Sequence, residues 1–347
     1  MGMTKKVTIR CLGMCIAAIA LVVVTRQLYD KPFAASSGNI QQILRIQSRT
    51  QSDGGFLSNL FNPLRVDFTG ERHFQNLNSV NTVCKFKLSA NASVLDKSTR
   101  PYQDLGLSKY FPKKNIFNAH EKRYNTCAIV SSSSFMTDSG LGEEIDSHEA
   151  VMRFNNAPTV GFERDVGNKT TMRVINLDIM LLPDFYSNYI FNNVSLVAWY
   201  QAPYTFTPDK WYEHNGAAFY EKYIERRISR PEEKMYVINP AWHWNIWDIL
   251  QEYSEENINK HVPSSGFTGI ILMQQICDQV NVYGFVTPKT RLLHYYSNVL
   301  INAPTGYLWH PMVQEKRIAK IMNRGPEEEI TNHGKITLPG FNQMHCL

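Results

Sequence analysis

Two short stretches of this chain set backbone donors beside hydroxyl side chains, the groups that hold anions. The first is Cys127-Ala-Ile-Val-Ser-Ser-Ser-Ser134, an apolar run ending in four serines, Ser132 among them. A strand running into such a turn offers N–H groups and hydroxyls able to grip phosphate oxygens. Taken alone, a run of this kind is more often an ordinary loop. The second stretch is Val262-Pro-Ser-Ser-Gly-Phe-Thr-Gly269, ahead of an apolar segment. Ser264, Ser265 and Gly266 fall at a helix N-terminus, where unpaired N–H groups and the helix dipole favour an anion. The plainer use of the same residues is a serine N-cap. Between the two, Arg153-Phe-Asn-Asn-Ala-Pro158 sets Asn155 at a strand end, suited to hydrogen bonding a base or ribose. Asn also favours turns for local reasons. The run Asp165-Val-Gly-Asn-Lys-Thr-Thr-Met-Arg173 then leads to Asn176.

Two histidines follow. His294 lies in a loop with Tyr295 and Tyr296, and His310-Pro-Met-Val-Gln-Glu315 begins a helix with Pro at its first position. A His there can leave the helix and act as a general base near neutral pH, although a capping or buried His is the commoner case. Other chemistries are excluded. No Gly directly precedes Lys169, so the nucleotide-hydrolase pattern GxxxxGK[ST] is missing, and GxSxG is absent too. After the N-terminal apolar run no DxD motif occurs; Glu144-Ile-Asp146 is the nearest approach. A metal-dependent glycosyltransferase needs hard oxygen ligands against a diphosphate. The pattern instead points to a donor with less charge on its leaving group, neutralised by helix N-termini and side chains.

Alternating strands and helices must carry these residues. Strand candidates are 127–130, 150–154, 170–175, 195–199, 234–238 and 280–285; helix candidates are 140–148, 244–253 and 268–279. That alternation argues an α/β fold with a largely parallel central sheet flanked by helices, its ligands beyond the strand C-termini. No internal repeat occurs.

With 43% apolar residues the chain can bury a large core. Lys5, Lys6 and Arg10 precede an apolar run over residues 11–25; without them 33 basic side chains face 31 acidic ones, which leaves no electrostatic footprint for nucleic acid. The run fits either a cleaved signal peptide or a short uncleaved anchor. The anchor is favoured, with residues 1–10 cytosolic and the rest luminal. Residues 26–83 are rich in Ser, Asn, Gln and Gly and are expected as a flexible stem, leaving 84–347 as the catalytic domain. Cys84, Cys127, Cys277 and Cys346 are dispersed, as in two disulfides of an oxidising lumen, with three connectivities open. Asn91, Asn168 and Asn193 head sequons for N-glycosylation.

In this order the pieces resemble the animal sialyltransferases, most closely the β-galactoside α-2,6 branch. Residues 127–177 are similar to their long motif, with LGxEID, RFNxAPT and DVGxKTTxR; residues 263–285 are similar to the short motif. His294 to Ser297 resembles the third motif, His310 with Glu315 the last, and the ending LPGF…HC the end of the α-2,6 branch. The resemblance implies a modified Rossmann-like, GT-A-like single domain that takes sialic acid from CMP-sialic acid without a metal or other cofactor. It implies that Cys127 pairs with Cys277 and Cys84 with Cys346. Ser132, Asn155 and Asn176 would contact the CMP part of the donor; Ser264, Ser265 and Gly266 would hold its ribose and its carboxylate or phosphate end, with Tyr295 and Tyr296 alongside. His294 would stabilise the departing phosphate, and His310, accompanied by Glu315, would deprotonate the 6-hydroxyl of galactose or GalNAc on an N-glycan. Implied too are a single-pass type II Golgi location, with a homodimer as one assembly it allows. The rivals are an α-2,3 or α-2,8 linkage, or a silent glycan-binding member. Two departures bear on the acceptor. After Lys210-Trp211-Tyr212 this chain has Glu213-His-Asn-Gly-Ala-Ala218, and His294 stands where vertebrate relatives have Tyr.

Overall fold

In the computed structural model of the chain the described residues are 62–75, 77–90, 92–113, 117, 124–213, 217–287, 292–299 and 310–346. The expected tail, the anchor, residues 26–61 of the stem and the sequon residue Asn91 lie outside them. No helix among the described residues is long and apolar enough to cross a membrane.

Seven strands form one sheet in the order β5-β4-β3-β2-β1-β6-β7. They are β1 Tyr124–Val130, β2 Ala150–Phe154, β3 Met172–Asn176, β4 Ser195–Trp199, β5 Met235–Val237, β6 Cys277–Tyr283 and β7 Lys335–Pro339. All pairings are parallel except β6 with β7. The expected α/β class with a largely parallel sheet is therefore what the chain adopts. The reason is visible in the runs themselves: Cys127 to Val130 and all of β2 are buried, as strands covered on both faces must be. One face of β1 to β4 (Cys127, Ile129, Met152, Phe154, Val174, Val197) packs in one cluster with Trp242, Trp244, Trp247, Phe267 and Ile270. Ala128, Val130 and Val151 pack with Met136, Ile145 and Tyr283 on the other.

The five helices of eleven or more residues among the described ones are α1 Ser79–Ser89, α2 Ala217–Ser229, α3 Pro240–Glu252, α4 Ser265–Ile276 and α5 Met312–Met322. Helix α4 starts three residues earlier than its periodicity suggests, because Ser264 caps it by accepting from the Phe267 N–H at 3.2 Å. It lies close on β2. A Cβ at Gly269 would stand 2.7 Å from the Met152 sulfur and 2.9 Å from the Phe154 ring, so this glycine sets the approach. In α3, Trp242, Trp244 and Trp247 are buried, and their N–H groups donate to Ala90, Ala202 and Asn259 carbonyls.

Three expectations need adjusting. The packed body begins upstream of Cys84: Leu64 and Val66 are in the core, and α1 spans the boundary. Their low apolar density in sequence hid a few well-placed residues. Helix α5 starts at Met312 with Pro311 as its N-cap, so His310 precedes the helix rather than opening it. And β7 went unread, being a short edge strand that gains its partner only from β6.

The described cysteines pair as Cys84–Cys346 and Cys127–Cys277, the pairing the resemblance implies. The second ties β1 to the first residue of β6. Asn168 and Asn193 are both exposed.

Candidate active site

The chain moves from β1 to one side through β2 to β5 and returns to β1's other side with β6. Beside such a switch the loops part, and ligands of open α/β sheets bind beyond the strand C-termini there. The predicted residues gather at that end. Asn155 follows β2, Asn176 ends β3, Ser132 follows β1, and Ser264 heads α4, whose other end feeds β6; Trp199, which the sequence did not single out, ends β4.

Most of the serines hold the turns that carry them. In the loop after β1, Ser131 Oγ accepts from Ser133 N at 3.2 Å, Ser133 Oγ from Phe135 N at 3.2 Å, and Ser134 Oγ donates to the Leu292 carbonyl at 2.6 Å. Ser132 carries the turn's remaining hydroxyl; Tyr295 N donates to the Ser132 carbonyl at 3.1 Å, and Ser133 bridges His294. His294 is thereby delivered to the serine turn, its ring stacked on Tyr296 at 4.9 Å and 6°. Burial pulls the His294 pKa below its ordinary value. Tyr295 is otherwise engaged: its hydroxyl donates to the Pro158 carbonyl at 2.5 Å, and the residue is buried. Asn155 sits at φ 48°, and its Oδ1 accepts from Asn176 N at 3.3 Å. Asn176 Oδ1 in turn caps the short helix after β3 through Ile179 N.

At the other half of the site, Trp199 Nε1 donates to Ser265 Oγ at 2.8 Å. A Cβ at Gly266 would meet the Phe285 ring at 2.7 Å, so this position is needed small for packing as well as for any ligand.

His310 is half-buried, its Nδ1 2.7 Å from the Val262 carbonyl. A carbonyl only accepts, so Nδ1 carries the proton and Nε2 keeps its lone pair. Burial lowers the His310 pKa, the Val262 bond opposing, which favours the neutral form a base requires. The Asn259 amide holds the His310 carbonyl at 3.2 Å. Around the ring stand groups the sequence did not single out. His261 meets it edge-on at 4.8 Å, and Trp199 lies at 6.2 Å. Behind Trp199, His243 is buried against Thr268 Oγ1 at 2.8 Å. Burial, with the His310 and His261 charges adding, brings the His243 pKa to about 3, so it stays neutral. No local pattern marks His243 or His261; folding alone brings them to His310.

Glu315 is fully buried and does not face the cleft. Its carboxylate accepts from Ser264 N at 2.7 Å and from Ser264 Oγ at 2.6 Å, joining α5 to the start of α4. Burial pushes its pKa up to about 7, against the pull of the two Ser264 bonds. The folded state thus holds this proton more tightly than the unfolded chain. Stability from it is complete below pH 4.5 and falls by about 3 kcal/mol as pH rises through 7. In Glu315→Gln that slope disappears. Thermal midpoints at pH 5 and pH 8 are expected to differ more for the native chain than for the variant; equal differences would remove Glu315 as the cause.

A cleft of about 280 Å³ opens against His310, lined by Ser254, Asn257, Asn259, Met312 and Val313 among others. A larger one, about 910 Å³, lies between Tyr124, Lys169, Asn193 and Lys234 at the opposite ends of the strands. Size and chemistry disagree here. The larger hollow has no histidine in its lining, its Glu233 is paired with Arg226, and its Lys169 and Arg230 are bound to backbone carbonyls. The smaller one has His310 in its lining, and none of the predicted donor residues. Among the described residues no group of three His, Cys, Asp or Glu is placed to hold a metal ion.

Comparison with known proteins identifies the family. Residues 71–325 match the model of glycosyltransferase family 29 (sialyltransferase). A zebrafish (Danio rerio) protein named beta-galactoside alpha-2,6-sialyltransferase 2 is 42% identical over 268 residues, 76% of this chain and 52% of its own length. The human protein of that name is 37% identical over 285 residues, 81% of this chain and 54% of its own. The chain thus spans about half the length of the curated relatives it matches. A solved mammalian sialyltransferase aligns over 75% of this chain and 89% of its own, with 24% identity and a TM-score of 0.45. With motifs, disulfide pairing and family model in agreement over most of the described body, the chain belongs to glycosyltransferase family 29, the sialyltransferases.

Proposed function

We propose that the chain transfers sialic acid from CMP-sialic acid to the 6-hydroxyl of a terminal galactose or GalNAc on an N-glycan, with inversion and without a metal. The observation that carries the reading is His310, whose bond to Val262 fixes the tautomer with Nε2 unprotonated and which lines the smaller cleft. The names of the relatives support the linkage.

The chemistry follows from the donor. The acceptor O6–H gives its proton to His310 Nε2 as O6 attacks C2 of the β-linked sialyl group. The C2–O bond to phosphate breaks, CMP leaves with the electron pair, and the new linkage is α. Charge gathers on the leaving phosphate, where His294 and the N–H groups at the start of α4 stabilise it by several kcal/mol. Ser132, Asn155 and Asn176 hold the nucleotide end, with Tyr296 beside them. Tyr295 braces the loop through Pro158. Ser264, Ser265 and Gly266 form the α4 end of the donor site, and Glu315 holds Ser264 in place. The same reading includes a type II luminal protein of the Golgi membrane, whose sequons at Asn91, Asn168 and Asn193 permit N-glycosylation, with a homodimer as one assembly it allows.

Incubating the full chain with labelled CMP-sialic acid and acceptors ending in Gal or GalNAc tests this directly. Product with an α-2,6 linkage is expected. An α-2,3 or α-2,8 product overturns the linkage, and binding without turnover overturns the enzyme.

A further inference from the structure

Three imidazoles converge on the residues that run into α4, and only one of them has a part in the chemistry above. His310 Nδ1 lies 2.7 Å from the Val262 carbonyl, and His261 Nδ1 lies 3.2 Å from the same oxygen. The two rings meet edge-on, their centroids 4.8 Å apart and their planes at 82°. His243, from α3, bonds the backbone of the next residue, Pro263, which offers a carbonyl alone. Ser264 then donates to both oxygens of Glu315.

A carbonyl oxygen has two lone pairs and only accepts, so His261 and His310 both carry a proton on Nδ1 and both give it to Val262. Sharing has a consequence for the base. An imidazolium is a stronger donor than a neutral ring, so an unshared carbonyl would favour protonated His310. With the His261 N–H on the same oxygen that preference is divided, and the neutral ring gains. Burial first, then the His310 charge, brings the His261 pKa to about 4, so at neutral pH it acts through its N–H and not through a charge. Of the other titratable groups nearby, His243 from α3 is neutral as well, and Glu315 from α5 is turned to Ser264, with Lys316 acting on it. Glu256, in the cleft lining, and Lys260 are exposed to water.

We propose that His261 is a positioning residue for the base: by sharing the Val262 carbonyl it holds the His310 ring and keeps that ring neutral further into acid. This rests on the reading of His310 as base given above.

The kinetic test is the pH profile of kcat for the full chain, His261→Phe and His261→Asn, with thermal melts to establish folding. Phe keeps the bulk of the ring and loses the N–H, whereas the Asn amide nitrogen sits where Nδ1 does and keeps it. The acid limb is expected to move up by about one pH unit in His261→Phe and to stay near its native place in His261→Asn. A limb that moves as far in Asn as in Phe, or in neither, overturns the proposal. So does a fall in kcat at every pH with the limb unmoved, the result a merely structural residue would give. Should the Phe variant not fold, the native chain decides. Nitrogen NMR of its histidine rings at neutral pH, assigned with His261→Asn and His310→Ala, is expected to show both rings protonated on Nδ1. A His261 proton on Nε2 instead leaves Nδ1 nothing to give Val262 and overturns the proposal. The ring measurement needs no turnover. If the native chain transfers nothing while both rings carry Nδ1–H, the reading of His310 as base fails and this inference with it; if it transfers and the His261 proton is on Nε2, this inference fails alone.

Discussion

His310→Ala is expected to lower kcat for sialyl transfer by about 10³-fold while CMP affinity stays within about twofold of native. The asymmetry follows from geometry. The ring is anchored through Nδ1 to Val262, so its contribution to the reaction is the lone pair on Nε2. That lone pair matters when O6 gives up its proton and hardly at all when the nucleotide binds. Burial lowers the His310 pKa, so the acid limb of kcat should lie below the pH at which an ordinary imidazole loses its proton. Single-turnover transfer with labelled donor across pH 4.5 to 8, beside CMP calorimetry, separates the two quantities. A variant that transfers at the native rate removes His310 as base; one that loses CMP binding in proportion makes it a donor-site residue instead.

Replacing Cys127 and Cys277 together by alanine is expected to destabilise the fold by about 5 kcal/mol and lower its thermal midpoint by roughly 10–20 °C. The bridge closes a sequence separation of 150 residues. Without it the unfolded chain recovers the entropy of that long loop, and two fully buried sulfurs leave space inside the core. Domain stability is itself on the order of 5–15 kcal/mol, so the variant should be unfolded or nearly so at body temperature. Scanning fluorimetry of both forms gives the shift. A midpoint unchanged within about 3 °C would mean that packing of β1 against β6 suffices without the bridge.

Strands β1 to β4 and β6 were legible because buried parallel strands leave uninterrupted apolar runs, and these runs carry the motif residues at their ends. Helix α4 was legible from its apolar stretch, and its start from the two serines. What stayed hidden depends on pairs far apart in the chain. Glu315 and Ser264 are separated by 51 residues, and nothing near Glu315 shows that its carboxylate is turned inward to a helix cap. His261 has no motif around it, and it meets His310 only because Val262 carries it back to the start of α5. Tyr295 and Tyr296 are adjacent in sequence yet face different surroundings, Pro158 for one and His294 for the other. β7 could not be inferred from five residues ending in proline; it exists because β6 offers it an edge.

The two disulfides are nested, with Cys127–Cys277 enclosed by Cys84–Cys346. A protease that cuts once anywhere between residues 84 and 346 therefore releases nothing: both pieces stay covalently attached through the outer bridge. A nicked molecule would run as a single species until reductant is added, and could keep its sheet, and with it the donor site, through damage that would dismantle an unbridged chain.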